Sequence, residues 1–257
     1  MNAPGTDVRK KDREELREMS FFDHLGDLRR VIIQSLVGIF LLTIICWFFS
    51  GRILDLLIKD LPVESLYFNS PLGAFMIRLR VSLVLGIIIA FPFVLYKVWS
   101  FVVPGLFAAE RRRVYPLVIS SATLFYLGIV FCYVILIPFV LKFLLGFGTE
   151  NLNPLLSVSA YFAFVARLCF TFGIVFQIPI VVLVLSSLGL VTPQWLLKQW
   201  RYGVTVIFIG SAILTPPDAI SQVLMAVPIL LLYMGSILVA FVVVRKKRDD
   251  VDKEAKE

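Results

Sequence analysis

Two carboxylates carry the chemistry that stands out in this chain. Glu110 sits directly against Arg111, Arg112 and Arg113, in a Pro-Gly-containing stretch, Trp99 to Arg113, between two long apolar runs. The three arginines read as an anchor at a membrane surface, since Lys and Arg concentrate on the cytoplasmic side of spanning segments. The acid admits two readings: it neutralises a neighbouring guanidinium, or it receives a cation brought by another molecule. Asp27 is the second. Phe22, Leu25 and Leu28 repeat at helical spacing within Met19 to Arg30, so this segment is expected to be a short amphipathic helix lying on the membrane surface. Asp27 falls off that apolar stripe, just before Arg29 and Arg30. It is either an ordinary part of an interfacial helix or a free acceptor.

Catalysis has little to build on. The single histidine, His24, lies outside the apolar runs, and neither an HExxH motif nor a pair of intramembrane aspartates occurs. The Gly-x-x-x-x-Gly-Lys signature of nucleotide hydrolysis is missing as well. The three cysteines, Cys46, Cys132 and Cys169, occupy separate apolar runs without metal-ligand spacing and read as packing residues. No cofactor and no metal is expected. One polar side chain, Gln177, stands deep in an apolar run two residues before Pro179. Its amide is expected to serve backbone groups that the proline frees, with a ligand role as the alternative.

The elements that must position these groups are membrane helices. Of 257 residues 59% are hydrophobic, with a mean hydropathy of +0.91, and the apolar runs are continuous, as helices require, where barrel strands would alternate. Runs over 31–50, 71–98, 114–145, 160–188, 202–214 and 220–244 give six expected spans in one membrane domain over 19–248. A charged segment (1–18) precedes it and a charged tail (249–257) follows. Pro92 and Pro138 are expected to kink the second and third spans. Ile53 to Leu61 is amphipathic and is expected to lie along the far surface, and Thr192-Pro193 marks a helix start.

The net charge of +7 calls for no nucleic acid, because basic residues flank the apolar runs. Threading the spans puts the N-terminal basic cluster, Arg29, Arg30, Lys97, Arg111 to Arg113, Lys198, Arg201 and Arg245 to Arg248 on one side. Only Arg52, Lys59, Arg78, Arg80, Lys142 and Arg167 fall to the other, so both termini are expected in the cytoplasm. A small-molecule or ion transporter is the main alternative. Such proteins keep ionisable groups or broken helices at mid-membrane, often in paired repeats. Here the acids sit at the two surfaces, which favours a binding scaffold.

Four stretches carry a resemblance to a known family: His24-Leu-Gly-Asp-Leu-Arg-Arg30, Phe68-Asn-Ser-Pro71, the Trp99 to Arg113 loop, and Leu214-Thr-Pro-Pro-Asp218 with Ser221-Gln222 following. With the six-span pattern they make the chain similar to TatC, the polytopic receptor subunit of the twin-arginine protein translocase. The resemblance implies an all-α membrane protein of the bacterial inner membrane, without enzymatic activity. It would bind Arg-Arg signal peptides and assemble with single-span TatA- and TatB-type subunits into an oligomeric complex. Folded proteins would then cross the membrane on the protonmotive force. The implied peptide-binding set is Asp27, Glu110, Arg29, Phe101, Arg111 and Arg112, with Gln177 as an intramembrane polar residue and Pro216 and Asp218 in the outer turn. Carboxylates suit the task, because guanidinium groups form forked, charge-assisted bonds with them, strengthened at a low-dielectric interface. Two departures stand out: the family commonly has Glu at Asp27 and often Glu at Gln177. An amide at 177 cannot titrate, so no proton relay runs through that side chain.

Overall fold

The computed structural model describes residues 21–59, 72–102, 114–146, 157–187, 189–214 and 219–254, and these are all-helical. In chain order the helices are α1 (Phe21–Trp47), α2 (Ser50–Lys59), α3 (Gly73–Val102), α4 (Val114–Phe131), α5 (Ile137–Leu145), α6 (Val158–Val175), α7 (Ile178–Ser187), α8 (Pro193–Lys198), α9 (Trp200–Leu214) and α10 (Ala219–Glu254). A π-helical turn, Cys132–Leu136, joins α4 to α5. Among the described residues five helical stretches are long and apolar enough to cross a membrane: Leu25–Trp47, Gly73–Val102, Tyr115–Leu144, Val158–Ser187 and Ala219–Val242. Trp200–Leu214 is a shorter apolar helix, about 22 Å long at 1.5 Å per residue.

The first correction concerns the start. The segment expected to be a separate surface helix is continuous with the first span, because α1 runs unbroken from Phe21 to Trp47. The sequence offers no proline there, and Gly26 alone does not break a helix. Beyond Trp47 the chain turns sharply: Ser50 Oγ donates to the Trp47 carbonyl at 2.7 Å and opens α2. Ile53, Leu54, Leu57 and Ile58 then pack on a cluster of Ile77, Val81, Val158 and Phe162, so the amphipathic α2 lies against α3 and α6.

The prolines are accommodated in different ways. Pro92 cannot offer an N–H to the Ile88 carbonyl, yet α3 is helical through it. Tyr126 of α4 donates its hydroxyl to that carbonyl at 3.1 Å, supplying a partner from the neighbouring helix. Before Pro138 the backbone takes a wider turn, with the Ile137 N–H on the Cys132 carbonyl, so the expected kink is a π-helical insertion. Before Pro179 the expected fourth span is interrupted at Phe176 and Gln177, giving α6 and α7. Pro228 lies within α10, which continues through the basic run into the tail as far as Glu254.

Close packing depends on small residues. A Cβ at Gly86 would lie 2.8 Å from the Thr43 backbone, and one at Gly128 would lie 2.7 Å from the Phe172 carbonyl oxygen. These glycines let α1 approach α3 and α4 approach α6, as membrane interfaces commonly require. The main core gathers Cys132, Leu136, Leu168, Phe172, Met225 and Ile229 from α4 to α6 and α10. Cys46, Cys132 and Cys169 are buried free thiols. Helix α1 stands at the rim, with Leu36, Phe40 and Leu41 more than half exposed, a surface suited to acyl chains rather than water.

Candidate functional site

At one end of the bundle the end of α3, the start of α4 and the end of α7 pack together, and the start of α1 runs along α3 toward the same end. Antiparallel α1 and α3 meet at Gly38 against Phe93 and at Thr43 against Gly86. Carried toward the start of α1, that register sets Asp27 level with the last turn of α3, at Phe101 and Val102. Asp27 is half-buried, Arg29 is exposed and Phe101 is half-buried. Glu110, Arg111 and Arg112 lie outside the described residues, as do Pro216 and Asp218. The helices on either side of the Glu110 loop, α3 ending at Val102 and α4 starting at Val114, are described and are held to each other.

That hold is built from aromatic and polar side chains. Tyr96 and Tyr115 bring their rings to 6.3 Å between centroids, joining the last turns of α3 to the first turn of α4. Lys97 places its Nζ 5.3 Å from the Phe93 ring centroid, a cation–π contact along α3. Deeper, Trp99 is buried among Leu95 and Ile180, with Val102, Leu117 and Val184 packed around them. Its Nε1 donates to Ser121 Oγ at 3.2 Å, and the Ser121 carbonyl accepts from Gln177 Nε2 at 2.8 Å. Helices α3 and α4 and the break between α6 and α7 are thereby tied through one fully buried serine. Each such bond inside a membrane bundle contributes about 0.6 kcal/mol on average and up to ~1.7.

Gln177 therefore differs from its expected role. Its amide does not serve the carbonyls freed by Pro179 in its own helix; it reaches across to α4. The sequence signal for this partner was weak, because Ser121 is one serine in an apolar run and only the fold sets Trp99 beside it. A second link missed in the sequence is Gln222 Nε2 donating to the Phe208 carbonyl at 3.0 Å, which ties α10 to the short α9. The Thr192-Pro193 start is as expected: Thr192 Oγ1 accepts from the Trp195 N–H at 3.2 Å and Pro193 opens α8.

Chemically this end of the bundle offers a half-buried carboxylate, Asp27, and an exposed guanidinium, Arg29, on one rigid helix. Among the described residues no three His, Cys, Asp or Glu side chains gather as a metal site. Apolar helices packed through glycines, polar links between helices and a charged end define a multi-pass helical membrane protein.

Its relatives say which kind. The chain belongs to the TatC family, described as Sec-independent protein translocase protein, which it matches over residues 23–228. It is 39% identical over 237 residues to the Sec-independent protein translocase protein TatC of Aquifex aeolicus, covering 90% of this chain and 98% of that one. The TatC of Carboxydothermus hydrogenoformans is 38% identical over 229 residues, covering 88% and 94%. A crystal structure of the twin-arginine translocase receptor TatC superposes with a TM-score of 0.77 at 39% identity, covering 85% of this chain and 98% of that one. The chain is thus a protein-translocase subunit by family, and that family is not one of enzymes.

Proposed function

We propose that this chain is the signal-peptide receptor and core subunit of a twin-arginine translocase in a bacterial inner membrane. Six spans place both termini and the Trp99 to Arg113 loop in the cytoplasm, as the distribution of basic residues supports. Asp27 and Glu110 jointly receive the arginine pair of a signal peptide at that face, with Arg29, Phe101, Arg111 and Arg112 around them. Single-span TatA- and TatB-type subunits complete the complex, and the protonmotive force drives transport of folded proteins. One observation carries the reading: Asp27 stands level with the end of α3, where the Glu110 loop departs. Two acids suit two guanidinium groups on one peptide, since each can accept a forked pair of hydrogen bonds.

The test is direct binding of a twin-arginine peptide to the purified protein at low salt. Glu110→Gln and Asp27→Asn keep shape and remove charge, and each is expected to weaken binding by roughly 1–3 kcal/mol, the range for a hydrogen bond to a charged group. The two effects should couple if both acids grip one ligand. Asp27→Glu should be tolerated, and a peptide with both arginines changed to lysine should bind less well. Unchanged affinity in both neutral variants would place the recognition site elsewhere.

A further inference from the structure

The break between α6 and α7 is poor in backbone bonds of its own. The Gln177 N–H bonds the Ile174 carbonyl at 2.9 Å, three residues back, where a continuous helix would bond four back. Pro179 carries no N–H, so the Val175 carbonyl loses the partner that an unbroken helix would supply. The helix resumes with the Val181 N–H on the Gln177 carbonyl at 3.0 Å. What the backbone lacks here comes from α4. Gln177 Nε2 donates to the Ser121 carbonyl at 2.8 Å. Phe176 is buried, and its ring occupies the space that a Cβ at Gly128 would take.

The same serine holds the end of α3. Trp99 Nε1 donates to Ser121 Oγ at 3.2 Å. Trp99 lies three residues before the end of α3 and Ser121 seven residues after the start of α4. The bond therefore crosses roughly 4.5 Å from the end of one helix and 10 Å from the start of the other, close under both helices that flank the Glu110 loop. Ser121 thus carries one bond from each direction, on its hydroxyl from α3 and on its carbonyl from the break.

An aromatic route runs beside the polar one. Phe91 of α3 stacks on Phe125 of α4, with ring centroids 3.4 Å apart and planes 12° apart. The fully buried Phe125 in turn fills the space that a Cβ at Gly173 would take, one turn before the break. Close-packed rings pass a displacement on, because no void is there to absorb it. A shift at the end of α3 therefore reaches the break by two contacts in series, each through α4.

We infer that Trp99, Ser121 and Gln177 couple the end of α3 to the break in the fourth span, so that a ligand steadying one steadies the other. Gln177 stands ten residues before the end of α7, about 15 Å along the helix from the end of the bundle that holds Asp27. It touches no residue of the proposed recognition set and acts as a positioning residue, as do Trp99 and Ser121. Coupling of this kind is reciprocal: if occupancy at the recognition end closes the break, closure of the break strengthens binding by the same factor. The ligand in that statement is the arginine-bearing peptide proposed above, and this part rests on that reading. The link between the two helical segments does not.

Backbone hydrogen exchange of the purified full-length chain, read by mass spectrometry over residues 173–182, tests the coupling in two arms. In the first no peptide is present. Trp99→Phe keeps a buried ring and removes the donor; Ser121→Ala removes the acceptor and leaves the carbonyl that Gln177 uses. Each should speed exchange over 173–182 by roughly three- to eighteen-fold, the ratio for one hydrogen bond within a membrane bundle. The double variant should be no faster than the single ones, because one bond is cut twice. Exchange in α2, at the far end of α1 from Asp27, should stay as in the wild type. In the second arm a twin-arginine peptide should slow exchange over 173–182 in the wild type and slow it less in either variant. Gln177→Leu should weaken peptide binding to a similar extent. Unchanged exchange over 173–182 in both Trp99→Phe and Ser121→Ala, or equal acceleration in α2, overturns the coupling whether or not peptide binds. Peptide that binds the wild type without slowing 173–182, or full affinity in Gln177→Leu, overturns it too. A wild-type chain that binds no twin-arginine peptide refutes the receptor reading instead, and the first arm still decides the coupling.

Discussion

Gly86→Ala tests whether the placement of Asp27 rests on the approach of α1 to α3. A Cβ at position 86 would meet Thr43 Oγ1 and lie 2.8 Å from both the Thr43 Cα and its backbone nitrogen. Ordinary van der Waals contact begins near 3.4 Å, so the helices must separate by at least about 0.6 Å at that point. A side chain could rotate away, but backbone cannot. Overpacking of this kind costs about 1–3 kcal/mol, well above the small gain in helix propensity that alanine brings. Gly210 and Gly235 provide the controls, because a Cβ at either meets nothing within 4 Å. Cys46, Cys132 and Cys169 are buried, so a thiol-reactive fluorophore that reports their exposure on heating follows unfolding directly in detergent. At about 2–4 °C per kcal/mol, Gly86→Ala should lower the midpoint by several degrees while Gly210→Ala and Gly235→Ala leave it unchanged or slightly raised. Because α1 carries Asp27, the same variant should also weaken twin-arginine peptide binding. Equal midpoints for the position 86 and position 210 variants would refute the close-approach argument.

Gln177→Leu should destabilise the bundle by about 0.6–1.7 kcal/mol, seen as a lower midpoint in the same thiol assay, because it removes the link to the Ser121 carbonyl. Single cysteines introduced at Gly148 and Ala108 should label from outside and inside respectively, and the reverse pattern would overturn the proposed topology. The short α9 must thin the bilayer or recess one end in protein, so crosslinkers along α9 and α10 should capture a single-span partner. Capture only from other helices would remove that idea.

The helices were legible because an apolar run near twenty residues long has few other uses. Breaks within runs were less legible. Proline marked where backbone pairing must change, but its response depends on neighbours that no local pattern reveals. Pro92 leaves α3 helical and the Ile88 carbonyl paired with Tyr126, whereas Pro179 follows an interruption of the helix. The join between the amphipathic start and the first span was misread for a related reason. Phe22, Leu25 and Leu28 describe one face, and a face alone does not say whether the axis turns where the apolar run begins.

The charged end shows the same division between type and place. Acid beside arginine is visible in the sequence, and so is its suitability for a guanidinium. The level at which Asp27 stands is not, because it follows from Gly86 and Gly38, more than ten residues away along α1 or on another helix altogether. Those glycines contribute no charge and no hydrogen-bonding side chain. Their contribution is to let two backbones run closely antiparallel, so that a carboxylate on one arrives where the loop of the other begins. A substitution remote from every charged group can therefore alter recognition by shifting that level, while leaving each proposed contact residue intact.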